Sequence, residues 1–83
     1  MYYSYILYSN TKSRFYVGQT IDIDDRLNRY NKGQSLSTKS GIPWEMIYSI
    51  SLNSRPKAVL LETKIKKRGA ERSLKDIEFE QEV

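Results

Sequence analysis

The chain has 83 residues, with 14 Lys+Arg against 10 Asp+Glu, seven tyrosines, no cysteine and no histidine. That length accommodates one small domain burying roughly 60% of its unfolded surface, which leaves no room for a second domain or a deep cavity and puts function on the surface or in a shallow cleft. The two missing residue types exclude a disulfide framework, a thiol nucleophile, a cysteine-based zinc site and the usual general base near neutral pH, so any catalysis rests on Tyr, Lys, Arg, Asp, Glu, Ser or Thr.

From the N-terminus, Tyr2 to Tyr8 is an aromatic and β-branched run that reads as a strand, with Tyr3, Tyr5 and Leu7 on one face and Ser4 and Ile6 on the other. No charged n-region precedes a long apolar stretch, and no apolar run approaches the roughly 20 residues needed to span a bilayer. The expectation is a soluble, cytoplasmic protein with no membrane partner. Ser9 to Arg14 is polar and turn-forming, and Phe15-Tyr16-Val17-Gly18 resumes strand character, so the two runs predict an antiparallel hairpin. Gly18 allows a close approach to the backbone.

A helix follows. Asp22 suits its N-cap, Asp24 and Asp25 its first turn, Arg29 and Lys32 its C-terminal end and Gly33 the left-handed position beyond. Ile23, Leu27 and Tyr30 form its buried stripe, with Arg26 to one side. A basic loop with Lys32, Lys39, Gly33 and Gly41 leads to Pro43. Residues 44–50 predict a third strand whose alternation places Trp44, Met46, Tyr48 and Ile50 on one side. Asn53-Ser54 forms a turn or cap before a second helix from about Arg55 or Pro56 to Arg68, with Gly69 as its stop. Residues 1–69 read as the domain and residues 70–83 as a charged tail or short helix with a weak Leu74/Ile77 stripe.

Two features of these elements carry chemical information. On the second helix Glu62 falls about 40° from Ala58, on the same side as Leu61 and Ile65. A carboxylate there needs a basic partner, a hydrogen-bond network or a metal ion, unless a slightly rotated helix leaves it at the solvent boundary. The other is tyrosine: Tyr3, Tyr5, Tyr16, Tyr30 and Tyr48 all lie in predicted elements. Ordinary packing with a solvated hydroxyl accounts for such residues, whereas a catalytic tyrosine, with a reference pKa near 10, needs cations, a metal or a relay. Arg26 serves that purpose if its helix crosses the hairpin, and otherwise pairs with Asp22 one turn back.

Taken in order, Tyr3-Ser4-Tyr5, ten intervening residues, Tyr16-Val17-Gly18, Arg26-Leu27, Tyr30 and Glu62 resemble the GIY-YIG nuclease domain, most closely small stand-alone members related to the N-terminal nuclease domain of the bacterial excinuclease. The resemblance covers residues 2 to about 69. It implies an α+β sandwich, a small central three-stranded antiparallel sheet flanked by helices in the order β-β-α-β-α-(α). It also implies hydrolysis of DNA phosphodiester bonds with one divalent metal, Mg²⁺ or Mn²⁺. By position Glu62 resembles the single metal-bound carboxylate, Arg26 the arginine on the scissile phosphate, and Tyr5 and Tyr16 the paired motif tyrosines, Tyr5 favoured as base or relay. Tyr30 stands where many members have histidine and excinuclease-type members have tyrosine. Gly18 and Gln19 are supporting residues. Gln19 replaces the lysine of excinuclease-type domains, and an amide cannot supply positive charge to a neighbouring tyrosine.

Lys32, Lys39, Lys64, Lys66, Lys67 and Arg68 are candidates for tracking nucleic-acid phosphates with little sequence preference. No further DNA-binding domain fits in 83 residues, so selectivity would come from branched or damaged DNA, as in repair, or from a protein partner or homodimer. The competing readings are a non-catalytic nucleic-acid-binding module derived from the same fold and a small protein-interaction domain. The net charge of +4 divides unevenly. Residues 1–69 carry 12 Lys+Arg and 5 Asp+Glu, and residues 70–83 carry 2 and 5, giving +7 on the body and −3 on the tail. The body is therefore the part suited to a polyanion.

Overall fold

Tyr2–Ser9 is β1, and its alternation decides the architecture. It is the central strand, paired antiparallel with β2 (Arg14–Thr20) on one side and β3 (Trp44–Leu52) on the other, giving the order β2-β1-β3. Both faces of β1 are covered. Tyr5 and Leu7 pack with Tyr30 and Trp44 on one face, and Ile6 packs with Val17 and Ile65 on the other. Each such side chain contributes roughly 1.5–3 kcal/mol of hydrophobic stabilisation. The computed structural model describes residues 1–34 and 36–82, with side chains in the last helix described as far as residue 77. Residue 83, the last of the expected acidic tail, lies outside the described residues.

The first face is covered by α1 (Ile23–Asn31) and the short α2 (Leu36–Lys39), the second by α3 (Arg55–Arg68) and α4 (Ala70–Glu82). The architecture is the expected α+β sandwich around a three-stranded antiparallel sheet. Its helix ends follow their capping chemistry. The Asp22 carboxylate accepts from the Asp25 amide at 3.0 Å, Gly33 follows the C-cap at φ 72°, and Ser54 Oγ accepts from the Lys57 amide at 3.4 Å. Gly69 at φ 95° ends α3, and its carbonyl accepts from the Ser73 amide at 2.9 Å, so α4 starts at once. Ala70 and Leu74 then pack on the Ile6 cluster.

Two local expectations change. The basic loop after α1 contains α2, which turns inward so that the Thr38 carbonyl accepts from Trp44 Nε1 at 2.8 Å. On β3, Trp44, Met46, Tyr48 and Ile50 do not share a face. Ile6 pairs with Tyr48 while its neighbour Leu7 pairs with Met46, so Ile47 is the extra residue of a β-bulge. The bulge reverses the alternation. Trp44 and Met46 join the α1 side, whereas Tyr48 packs on the α3 side and Ile50 lines a groove there.

Candidate active site

The site begins at a cross-strand pair. Tyr5 on β1 lies opposite Gly18 on β2, and its ring crosses the neighbouring backbone at the hydroxyl end. A Cβ on residue 18 would come within 2.5 Å of Tyr5 Oη and 2.7 Å of Cζ, closer than atoms can approach. Glycine is therefore required by the ring, which is only 1% exposed. Gly18→Ala should cost about 1–3 kcal/mol as an overpacking change, read as a lowered urea midpoint with an unchanged slope. An unaltered midpoint would mean that the ring moves aside freely.

The end of α1 brings in the second tyrosine. Asn31 clamps α1 to the start of β3, accepting from the Trp44 amide through Oδ1 at 2.6 Å and donating through Nδ2 to the Trp44 carbonyl at 3.0 Å. With that end held, Tyr30 Oη lies 3.2 Å from Tyr5 Oη in a buried hydroxyl–hydroxyl hydrogen bond. Tyr16 follows from β2, with its ring centroid 5.2 Å from that of Tyr30 and 6.2 Å from that of Trp44. Tyr5 is enclosed, whereas Tyr16 is 38% exposed and forms the outer surface of the cluster.

Arg26 on α1 joins Tyr16 and Tyr30, with Arg29 and Gln34, around a hollow of about 310 Å³. It makes no ion pair among the described residues; the pair on this helix is instead Arg29 Nε with Asp25 Oδ2 at 2.9 Å. Its fork of donors is therefore not committed to a carboxylate.

The carboxylate comes from the opposite layer. Ser4 Oγ donates to the Ala58 carbonyl at 2.8 Å, tying α3 to β1, and Ala58 and Ile65 are buried beneath the helix. One turn beyond Ala58, the Glu62 side chain is 17% exposed, and its Oε1 accepts from Lys66 Nζ at 2.7 Å. The basic partner that its helical position demands is thus Lys66, on the same face one turn later.

Burial, above all, pushes the Tyr5 hydroxyl above the usual tyrosine range. The Tyr30 hydrogen bond and the Arg26 charge oppose this, and Tyr16 and Glu62 reinforce it. Tyr30 is also raised, by burial first and then by hydrogen bonds with Tyr5 and Tyr16. Lys66 is held above the ordinary lysine value chiefly by its hydrogen bond to Glu62, with smaller effects from the Tyr16 and Tyr5 hydroxyls. These influences place Tyr5, Tyr16, Tyr30, Arg26, Glu62 and Lys66, from both layers, within electrostatic reach of one another beside β2.

Among the described residues no three His, Cys, Asp or Glu side chains converge to hold a metal ion. Glu62 offers a single carboxylate, and a cation already rests on one of its oxygens. Such a donor fits a hard divalent ion that keeps most of its waters and does not fit an all-protein cage. A divalent ion at Glu62 would have to displace the Lys66 ammonium.

The other expected phosphate-tracking residues lie elsewhere. Lys32, Lys39, Lys64, Lys67 and Arg68 line none of the hollows beside Tyr16. Lys64 and Arg68 border a groove between β3 and the α3–α4 pair, where the Arg68 fork binds both oxygens of Asp76 at 3.0 and 3.2 Å. Strand alternation sets Gln19 on the side of Val17, away from Tyr16 and Gly18. Residues not anticipated from the sequence take part instead. Arg29, Gln34 and Trp44 border the site from α1, the segment after it and β3, and Arg14 reaches it along β2. Arg14 had a local signal, since it stands two residues before Tyr16 on one strand and so shares its face.

The family model for the GIY-YIG catalytic domain matches residues 1–75 of the chain. The match runs from β1 into the first half of α4 and takes in every residue of the cluster. Comparison with curated proteins and with solved structures gave no match.

Proposed function

Because the chain belongs to the GIY-YIG catalytic-domain family and carries its nuclease-type fold, we propose that it is a metal-dependent endonuclease that hydrolyses DNA phosphodiester bonds. The observation that carries this reading is a solvent-accessible hollow lined by Tyr16, Tyr30 and an Arg26 guanidinium without an ion pair among the described residues, with Tyr5 hydrogen-bonded to Tyr30 behind it and the Glu62 carboxylate within electrostatic reach of Tyr5.

Hydrolysis has three electrostatic demands: a proton leaves the attacking water, charge grows on the nonbridging phosphate oxygens, and the leaving oxygen must be stabilised as the bond to phosphorus breaks. Arg26 answers the second. Its planar donors suit two phosphate oxygens, and no carboxylate competes for them among the described residues. The tyrosines answer the first. A base must touch the proton it removes, so the exposed Tyr16 faces the water, and the enclosed Tyr5 and Tyr30 form the inner part of the hydroxyl relay. Glu62 would hold the metal, Mg²⁺ or Mn²⁺, which when bound would supply Lewis-acid stabilisation to the phosphate and to the leaving oxygen, the third demand. Lys66, which lines a hollow beside Tyr16, would then be released from Glu62 to serve as a second cation.

The pH dependence follows from the relay. Tyr5 and Tyr30 are held protonated beyond the ordinary tyrosine range, so near neutrality the fraction of either able to accept a proton passed inward from Tyr16 is small and rises tenfold per pH unit. Cleavage should therefore accelerate steadily from pH 6 to 9, with no bell-shaped optimum near 7. A flat profile under single-turnover conditions would remove the tyrosines from the proton path. The reading as a whole is tested by Mg²⁺- and Mn²⁺-dependent cleavage of duplex, flap, fork and single-stranded DNA and of RNA. Cleavage of DNA supports it. DNA binding without cleavage would favour the non-catalytic module instead, and cleavage of RNA alone would move the substrate class.

A further inference from the structure

Three hollows meet at Tyr16, and their linings have one property in common. Beside the one bordered by Arg26 and Arg29, a second of about 550 Å³ is bordered by Arg14 and Lys66, and a third of about 240 Å³ by Lys12 and Arg14. Tyr16 lines all three, five cations surround it, and no Asp or Glu lines any of them. Of the five, Arg29 and Lys66 are already paired, with Asp25 and Glu62. Arg26, Lys12 and Arg14 have no ion pair among the described residues. The basic groove on the α3–α4 side differs, because Asp76 lines it and neutralises Arg68.

β2 lies at the edge of the sheet, so the row from Tyr16 through Arg14 to Lys12 follows an open border toward the hairpin turn. Residues two apart on a strand point to one face about 6.6 Å from each other. Phosphates of one strand of a duplex succeed each other about every 3.4 Å of helix rise. Arg14 therefore stands beside a phosphate that neighbours the one seated at Tyr16, and Lys12 lies farther on, in the turn before β2, where it lines a hollow together with Arg14 and Tyr16. Tyr16 and its neighbour Phe15 are both more than a third exposed, which sets aromatic surface beside this basic line.

We propose that the DNA backbone crosses the protein along this line, from Arg26 and Arg29 on α1, past Tyr16, to Arg14 and Lys12 on the β1–β2 hairpin, which holds the phosphates flanking the one that is cut. The proposal rests on the endonuclease reading and adds the surface and direction by which substrate is held. The lysines of α3 other than Lys66 are left off the path. Because phosphate contacts are sequence-independent, the hairpin contributes affinity and register and leaves base preference untouched.

The test is fluorescence anisotropy with a short labelled DNA duplex, in EDTA so that no cleavage occurs, across a KCl series. Lys12→Gln/Arg14→Gln is compared with Arg72→Gln/Lys75→Gln, which removes the same charge from α4. The hairpin pair should weaken binding about tenfold or more at low salt and make the slope of log K against log[KCl] shallower by about 1.8, or 0.9 per lost phosphate contact. The α4 pair should leave the slope unchanged. Equal losses in both pairs, or an unchanged slope in the hairpin pair, would overturn the path. Circular dichroism of each variant separates lost contact from lost fold: if the hairpin pair unfolds, the single variants Lys12→Gln and Arg14→Gln must each reduce the slope by about 0.9, and the path falls if they do not. If the hairpin variant binds normally while the wild type still cuts DNA, this path fails and the endonuclease reading stands. A wild type that neither binds nor cuts DNA overturns both.

Discussion

Glu62→Ala is expected to abolish metal-dependent cleavage, with a loss on the order of 10³-fold or more, while the protein stays folded. The first half follows from the donor inventory. Glu62 is the carboxylate beside the tyrosine cluster, and no three metal-ligating side chains converge among the described residues to replace it. Removing it forfeits the several kcal/mol of charge stabilisation that a bound divalent ion supplies. The second half follows from solvent screening. The Lys66 side chain is 55% exposed, so the ion pair contributes at most about 1 kcal/mol to stability, and Ala58 and Ile65 continue to anchor α3. The measurements are single-turnover cleavage with Mg²⁺ and Mn²⁺ and a thermal melt. Glu62→Ala cutting as fast as the wild type would remove the carboxylate from the reaction. A collapsed melting temperature would assign Glu62 a structural role instead.

Arg26→Ala is expected to lower the cleavage rate by about 10²- to 10³-fold, the typical cost of losing a preorganised donor to transition-state charge. It also removes a cation that draws the Tyr5 hydroxyl downward, so the residual activity should need a higher pH than the wild type's. Arg26→Lys separates charge from shape. Lysine keeps the charge and its pull on Tyr5 but lacks the planar fork, so it should restore the pH profile while recovering only part of the rate. Because Arg26 has no ion pair to lose among the described residues, neither variant should shift the melt appreciably. Full activity in Arg26→Ala would show that the scissile phosphate lies elsewhere. Loss of DNA affinity at an unchanged maximal rate would make Arg26 a binding group only.

Much of this site was legible before any folding was considered, because the signals are short-range. Tyr5 and Leu7 against Ser4 and Ile6 is a two-residue alternation, and both faces of β1 are packed as it requires. Asp22, Gly33, Ser54 and Gly69 mark helix ends through chemistry confined to one turn. Glu62 needed a partner if its position on the helix buried it, and the one it finds, Lys66, is a turn away on its own helix. The family motif needed only the order of its residues.

Only tertiary structure decided the remainder. The bulge at Ile47 carries Tyr48 away from Trp44 and Met46, because β3 must satisfy a helix layer on each side of the sheet and one inserted residue reverses every side chain beyond it. No pattern within β3 announces that demand. α2 is likewise held from outside, through the bond between its Thr38 carbonyl and the Trp44 indole. Which lysines and arginines surround Tyr16 was also beyond composition. The surplus positive charge of residues 1–69 is visible in the sequence, but its distribution depends on β2 being an edge strand and on Asp76 lying beside Arg68. By itself the sequence determined the strands, α1 and α3 and the caps of those helices, since these depend on neighbours a few residues apart. The fold decided which cations stay uncommitted and which hollow they face, because charge pairing and strand position depend on residues far apart in the chain.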